Sequence, residues 1–228
     1  MKNGKKLFGI ILYIISFFTI LFYLYIELNN FSFNPIIRAS ILLLNCFIMY
    51  FGCTFVTESK ETRKKILKLN LIIWFLLYIV FLLSITLFDT FFNRNGISIF
   101  KIDKEIIDDY VNTSFNIEPF KTIKLYFNSY SKGYLDKSLF MYNIVGNLLA
   151  LMPFAFFLPL LFKHQNNYLI YLTTIILIVI AIEGLQFLTL SGSCDIDDLI
   201  LNVLGSSCLY FIFKIKPIKK IIRKIFVI

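Results

Sequence analysis

Tyr168–Leu190 reads YLIYLTTIILIVIAIEGLQFLTL, Ser191–Asp198 follows as SGSCDIDD, and Leu199–Ile215 closes the stretch as LILNVLGSSCLYFIFKI. Two apolar runs, each near the ~20 residues that cross a bilayer as a helix, are joined by a short polar turn. Glu183 lies inside the first run, and Asp195, Asp197 and Asp198 stand at the mouth of the second. Carboxylates in or beside hydrocarbon are costly, so this acidic turn requires an explanation that the rest of the chain does not.

Working outward, the same alternation fills the chain. Hydrophobic residues make up 58% and charged residues 16%, with a mean hydropathy of +0.78. A soluble domain is nearer half apolar and a quarter charged. The excess sits in runs at Leu7–Leu28, Ile36–Thr57, Leu69–Phe88, Ser138–Phe162, Tyr168–Leu190 and Leu199–Ile215. The expected fold is therefore all-α, a polytopic transmembrane helical bundle of six spans. The first run follows Lys2, Lys5 and Lys6. It is too long for the apolar core of a signal peptide and no small-residue cleavage site follows, so it reads as a span. Three regions result: two helices and a basic loop (1–68), the third span with the loop 89–137 and the last three spans (69–215), and a basic tail (216–228).

The net charge of +9 does not point to nucleic acid, because the basic residues flank apolar runs and no nucleic-acid motif is present. Lys and Arg number fifteen in the N-terminus, the second loop, Lys163 and the tail, against Glu58 and Glu61 alone. The opposite set has no Lys or Arg in 29–35 or 191–198, and its long loop balances seven basic with seven acidic residues. The positive-inside rule puts both termini in the cytoplasm and 89–137 outside. In that outer loop, Ile97–Tyr110 has the spacing of a short amphipathic helix, and the aromatic residues from Phe120 to Tyr134 suit the headgroup level. The tail alternates basic pairs with isoleucines and is expected to lie on the inner leaflet. The four cysteines form no CxxC or CxxH pair and three lie in apolar runs, so neither a disulfide framework, a metal site nor a cofactor is expected.

Depth then groups the polar residues. At 1.5 Å per residue, Asn143 lies about 7–8 Å below the outer end of the fourth span, with Asn147 one turn deeper. Glu183 lies on the order of 10 Å below the outer end of the fifth, with Gln186 one turn nearer the surface on the same face. Asp198 and Asn202 share a face at the start of the sixth, and Gly205 continues it. Three spans thus carry polar groups into the outer half of the membrane. The candidate polar pocket comprises Asn143, Asn147, Glu183, Gln186, Asp195, Asp197, Asp198 and Asn202. Gly146 and Gly205, in matching Asn-x-x-Gly patterns, are expected at close helix contacts, and Pro153 is expected to kink the fourth span. Structural readings stand beside these. Asp195 suits a helix N-cap, the asparagines suit interhelical bonding, and Glu183 suits a neutral donor within a bundle.

At these residues the sequence resembles the VanZ-like family of bacterial membrane proteins. The likeness is carried by Thr86-Leu87-Phe88, by Asn116-Ile117-Glu118-Pro119-Phe120, and by Asn143-Ile144-Val145-Gly146-Asn147 through Met152-Pro153-Phe154. Its most specific element runs from Glu183-Gly184-Leu185-Gln186 to Asp195-Ile196-Asp197-Asp198 and Asn202-Val203-Leu204-Gly205, so that roughly 76–213 is covered. Two departures stand out: Ser191-Gly192-Ser193-Cys194 occupies the ground where many members have an arginine, and Ala155 replaces a common glycine. The resemblance implies a link to low-level resistance to teicoplanin, a lipoglycopeptide that acts at the outer membrane face. Three functions follow as expectations. The first is modulation of how a lipoglycopeptide or a lipid-linked wall intermediate sits at the surface, with membrane lipids as the other partner. The second is an embedded enzyme acting on a lipid headgroup, and the third a small transporter with Glu183 as proton relay.

Overall fold

The computed structural model of the protein describes residues 2–29, 33–89 and 104–226. Six helices are long and apolar enough to cross a membrane: Asn3–Leu28, Pro35–Val56, Lys60–Phe88, Lys137–Leu161, Tyr168–Thr189 and Ile196–Lys214. Only 17–33% of their most apolar windows is buried, so each helix turns most of its apolar surface outward. Apolar patches of that extent are foreign to a monomer in water and suit a lipid solvent. The chain forms two compact units, Met1–Asn93 with Lys216–Ile228, and Arg94–Ile215. The division falls at 93/94, and the tail groups with the first three spans.

In the first unit, α1 (Lys2–Leu28), α2 (Pro35–Val56) and α3 (Lys60–Leu83, continued by a wide π-type turn at Ser84–Phe88) run antiparallel in succession. Asn34 starts α2, its side chain accepting from the Ile36 N–H at 2.8 Å, and Pro35 fits the first turn because no N–H is needed there. Ser59 caps α3, with a 3.1 Å bond from the Thr62 N–H. That helix begins nine residues before its apolar run, because Lys60–Lys68 form good helix in water and extend it. Gly9 and Gly52 let α1 and α2 approach: a Cβ on Gly9 would sit 2.7 Å from Val56 Cγ2. Asn45 donates to Ser16 and Thr19, and Asn70 to Tyr13 and the Met49 carbonyl, so amides join the helices where apolar surface gives no net driving force. Finally, α11 (Lys216–Phe226) packs on α3, with Phe226 edge-on to Trp74 at 6.4 Å.

One feature of this unit was missed in the sequence. Arg38 is buried and bridges Glu27 at 3.0 Å, Ser84 Oγ at 3.2 Å, and Asp89. Glu27 closes α1, Arg38 opens α2 and Asp89 ends the third span, so one guanidinium ties three helix ends. Removing one partner of such a buried group costs on the order of 3–5 kcal/mol, because the other charge is left uncompensated. Opposite charges bracketing a short turn were the available signal.

In the second unit, α4 (Lys104–Ser114) leads into β1 (Phe115–Asn116), and α5 (Lys121–Ser131) follows. The amphipathic segment expected at 97–110 is helical from Lys104; residues 97–103 lie outside the described residues. The fourth span is broken into α6 (Lys137–Phe140), a wide turn (Met141–Gly146), α7 (Asn147–Ala150) and α8 (Phe154–Leu161). Around Leu151–Pro153 the backbone bonds shorten to the i→i+3 type, as in Phe154 N–H to Leu151 O at 3.1 Å. Proline has no N–H to continue the ladder, and the helix restarts after it. Then α9 (Tyr168–Thr189), β2 (Cys194–Asp195) and α10 (Ile196–Lys214) complete the unit. Tyr171, Ile175 and Val179 form a buried stripe on α9, and Tyr171 stacks on Tyr210 of α10 at 4.4 Å.

Candidate functional site

The site is built around the turn between α9 and α10. Leu190 adopts the left-handed conformation (φ 49°), and the N–H groups of Leu190 and Ser191 close a Schellman arrangement on Phe187 and Gln186. A β-carbon in that region costs of order 1–3 kcal/mol, which the buried Ser191 and its 2.7 Å bond to Thr189 offset. The chain reverses through Gly192 and then pairs: β2 lies parallel to β1, with Phe115 opposite Cys194 and Asn116 opposite Asp195. A strand pair of this kind fixes the long loop to the hairpin, and Tyr110 and Phe115 pack edge-on to Phe187 of α9.

Asp195 is the hub. Its carboxylate caps α10 by accepting from the Asp197 N–H at 2.9 Å and also accepts from Asn116 Nδ2 at 2.9 Å. Its own N–H donates to Glu183 Oε2 at 3.0 Å. Asp197 looks the other way: its two oxygens accept the N–H groups of Phe120 and, at 2.9 Å, Ile123. A carboxylate there meets the positive end of the α5 dipole and satisfies two orphan donors. It also holds Phe120 in its left-handed conformation (φ 65°). Asn116 completes the turn before α5, accepting from the Glu118 N–H at 3.0 Å and donating to Thr122 at 3.2 Å. The Asn116–Phe120 segment and the aspartate motif are thus two halves of one hydrogen-bonded joint.

Asp198 faces the fourth span and accepts from Asn147 Nδ2. Asn202, one turn on, donates to the Asp198 carbonyl at 2.8 Å, and its buried Oδ1 has no partner among the described residues. Gly205 brings α10 against α7: a Cβ there would stand 1.8 Å from the Leu148 carbonyl oxygen. Gly146 makes no such approach, with nothing within 4 Å of its Cβ position. Asn143 bonds back to Leu139 O at 2.8 Å on its own helix and stays outside the cluster. Gln186 is buried near the end of α9, where its carbonyl takes the Schellman bonds. The named bonds thus form two sets at the start of α10, one of Glu183, Asp195 and Asp197 with Asn116, the other of Asn147, Asp198 and Asn202.

Three residues outside the candidate pocket border these sets. Tyr126 on α5 has its phenol pushed up by burial and then by the charges of Asp198 and Asp195. The Cys194 thiol is pushed up to about 11, by burial first and then by the neighbouring Glu183, Asp195 and Asp198. That is the reverse of an activated nucleophile, which has a depressed pKa. Asn116 is the third. Its contact crosses 79 residues, beyond any spacing rule.

Asp195 and Asp197 are buried and hold local structure, whereas Glu183, Asp198 and Asn147 are half-buried and reach the boundary of the protein. Among the described residues, no group of three His, Cys, Asp or Glu is placed to hold a metal ion. Carboxylate oxygens take hydrogen bonds from hydroxyl and amine donors.

A family model described as VanZ/LLP1 matches residues 75–217, which take in the third span's end, the Asn116 joint, the fourth span and the whole acidic turn. No curated protein and no solved structure matches the chain. With more than half of its length matched, the chain belongs to the VanZ/LLP1 family.

Proposed function

We propose that this protein lies in the bacterial cell membrane with both termini in the cytoplasm, and that Glu183, Asp198 and Asn147 form an outward-facing polar site. Through it the protein engages a hydroxyl- and amine-rich group at the outer surface, a teicoplanin-type lipoglycopeptide or a lipid-linked wall intermediate, and lowers susceptibility to such drugs. The observation that carries the reading is convergence. The outer loop, the fourth span, α9 and the start of α10 each send a polar side chain to the same two consecutive turns, through Asn116, Asn147, Glu183 and the aspartates. Such a set is more than one helix cap requires, and carboxylates near hydrocarbon are retained at a cost.

The test compares a susceptible strain with and without the protein. The reading expects reduced teicoplanin susceptibility and altered surface retention of fluorescent drug on expression. Unchanged values in both would sink it. The alternative of a headgroup enzyme draws on the two half-buried carboxylates in different surroundings, Glu183 bonded to a backbone N–H and Asp198 to an asparagine amide. It expects a new lipid species in extracts of expressing cells that is absent with Glu183→Gln.

A further inference from the structure

The helix α11 has no part in the acidic site, and its two faces differ sharply. Ile218, Ile221, Ile222, Ile225 and Phe226 recur at helical spacing on one side. Lys216, Lys219, Lys220, Arg223 and Lys224 occupy the rest, all exposed, and no acidic residue occurs after Asp198 in the chain. The apolar side is covered most fully at its end and only in part elsewhere. Phe226 is buried against Trp74, Ile218, Ile222 and Ile225 are half-buried, and Ile221 is 57% exposed.

The anchor point sets the depth. Trp74 lies six residues beyond Lys68, the last cation of α3, which is about 9 Å along the helix. An amphipathic helix bound at a membrane interface sinks its apolar face ~5–10 Å into the headgroup and acyl boundary. Phe226 is therefore held at the depth that such a helix reaches. The exposed Lys60, Lys64 and Lys68 of α3 add to the cationic rim, while Lys65 pairs with Glu61 at 3.2 Å. We propose that α11, with the first turns of α3, is a binding surface for anionic lipid headgroups, with the isoleucine face set in the acyl boundary. Cations at such a surface each add attraction to anionic lipid that is screened by salt, whereas apolar insertion alone is indifferent to headgroup charge.

The test uses the full-length protein in nanodiscs of phosphatidylcholine alone and of an equal mixture with phosphatidylglycerol. The readout is amide hydrogen exchange across 216–226, with exchange in the apolar part of α3 as the control for folding. We expect exchange at least about tenfold slower in the mixed discs, and loss of that difference at ~1 M salt. The combined Lys219→Gln, Lys220→Gln, Arg223→Gln and Lys224→Gln variant should also lose it. Equal exchange in the two lipids overturns the proposal, as does a difference that survives high salt. If the variant fails the folding control, the salt arm on the unaltered protein decides.

Discussion

Asp195 and Asp197, two positions apart, do different work, and the residue scale is where that becomes testable. Asp197 supplies both oxygens to the first N–H groups of α5, bonds to a charged acceptor that contribute about 1.5–3 kcal/mol each. Asp197→Ala should speed amide exchange at Phe120 and Ile123 at least about tenfold, with Asp197→Asn intermediate; unchanged exchange would contradict the capping role. Asp195 as an N-cap was legible from its place before an apolar run, but the partners of Asp197 lie 74 and 77 residues away and no local pattern signals them. Cys194 reports the same charges by pH. Its thiolate is disfavoured by burial and by Glu183, so alkylation followed by peptide mass spectrometry should rise with a midpoint near 11. Glu183→Gln removes a negative neighbour, favours the thiolate and lowers that midpoint. A midpoint near the ordinary 9.0, or one indifferent to Glu183→Gln, would place the carboxylate elsewhere.

At the scale of elements, hydrophobic run length located the six spans, because burial in lipid demands apolar residues all round a helix. Interruptions were harder. Pro153 marks a break in the fourth span, yet the wide turn at Met141–Gly146 carries no proline and depends on what packs around it. The repeated Asn-x-x-Gly pattern shows the same limit. Gly205 meets the Leu148 backbone and Gly146 meets nothing within 4 Å, although the two sequences read alike. The expected outcome is asymmetric: Gly205→Ala should destabilise by at least about 1–3 kcal/mol, as overpacking against backbone does. Gly146→Ala should stay within ~0.5 kcal/mol. Thermal unfolding in one detergent checks both, and equal effects would refute the close approach of α7 and α10. The Arg38 bridge escaped because its three anchors are separated by 11 and 51 residues and each alone looks like an ordinary helix-end charge.

For the whole molecule, the proposed orientation can be checked at two exposed positions of the second unit. Tyr134 is 84% exposed in the loop before the fourth span, and His164 is exposed in the turn between the fourth and fifth spans. In intact cells a membrane-impermeant maleimide should label Tyr134→Cys and spare His164→Cys until permeabilisation; the reverse pattern would invert the orientation. Family membership was legible from the motifs, since their residues make the joint between loop, fourth span and hairpin. A ligand was not, because carboxylates that cap helices and carboxylates that meet a ligand are written with the same letters. The most direct measurement is teicoplanin susceptibility at equal membrane levels of the unaltered protein and Asp198→Asn, each against an empty vector. Protection by the unaltered protein and loss of most of it in Asp198→Asn are expected. Equal protection by both, or none by either, would contradict it.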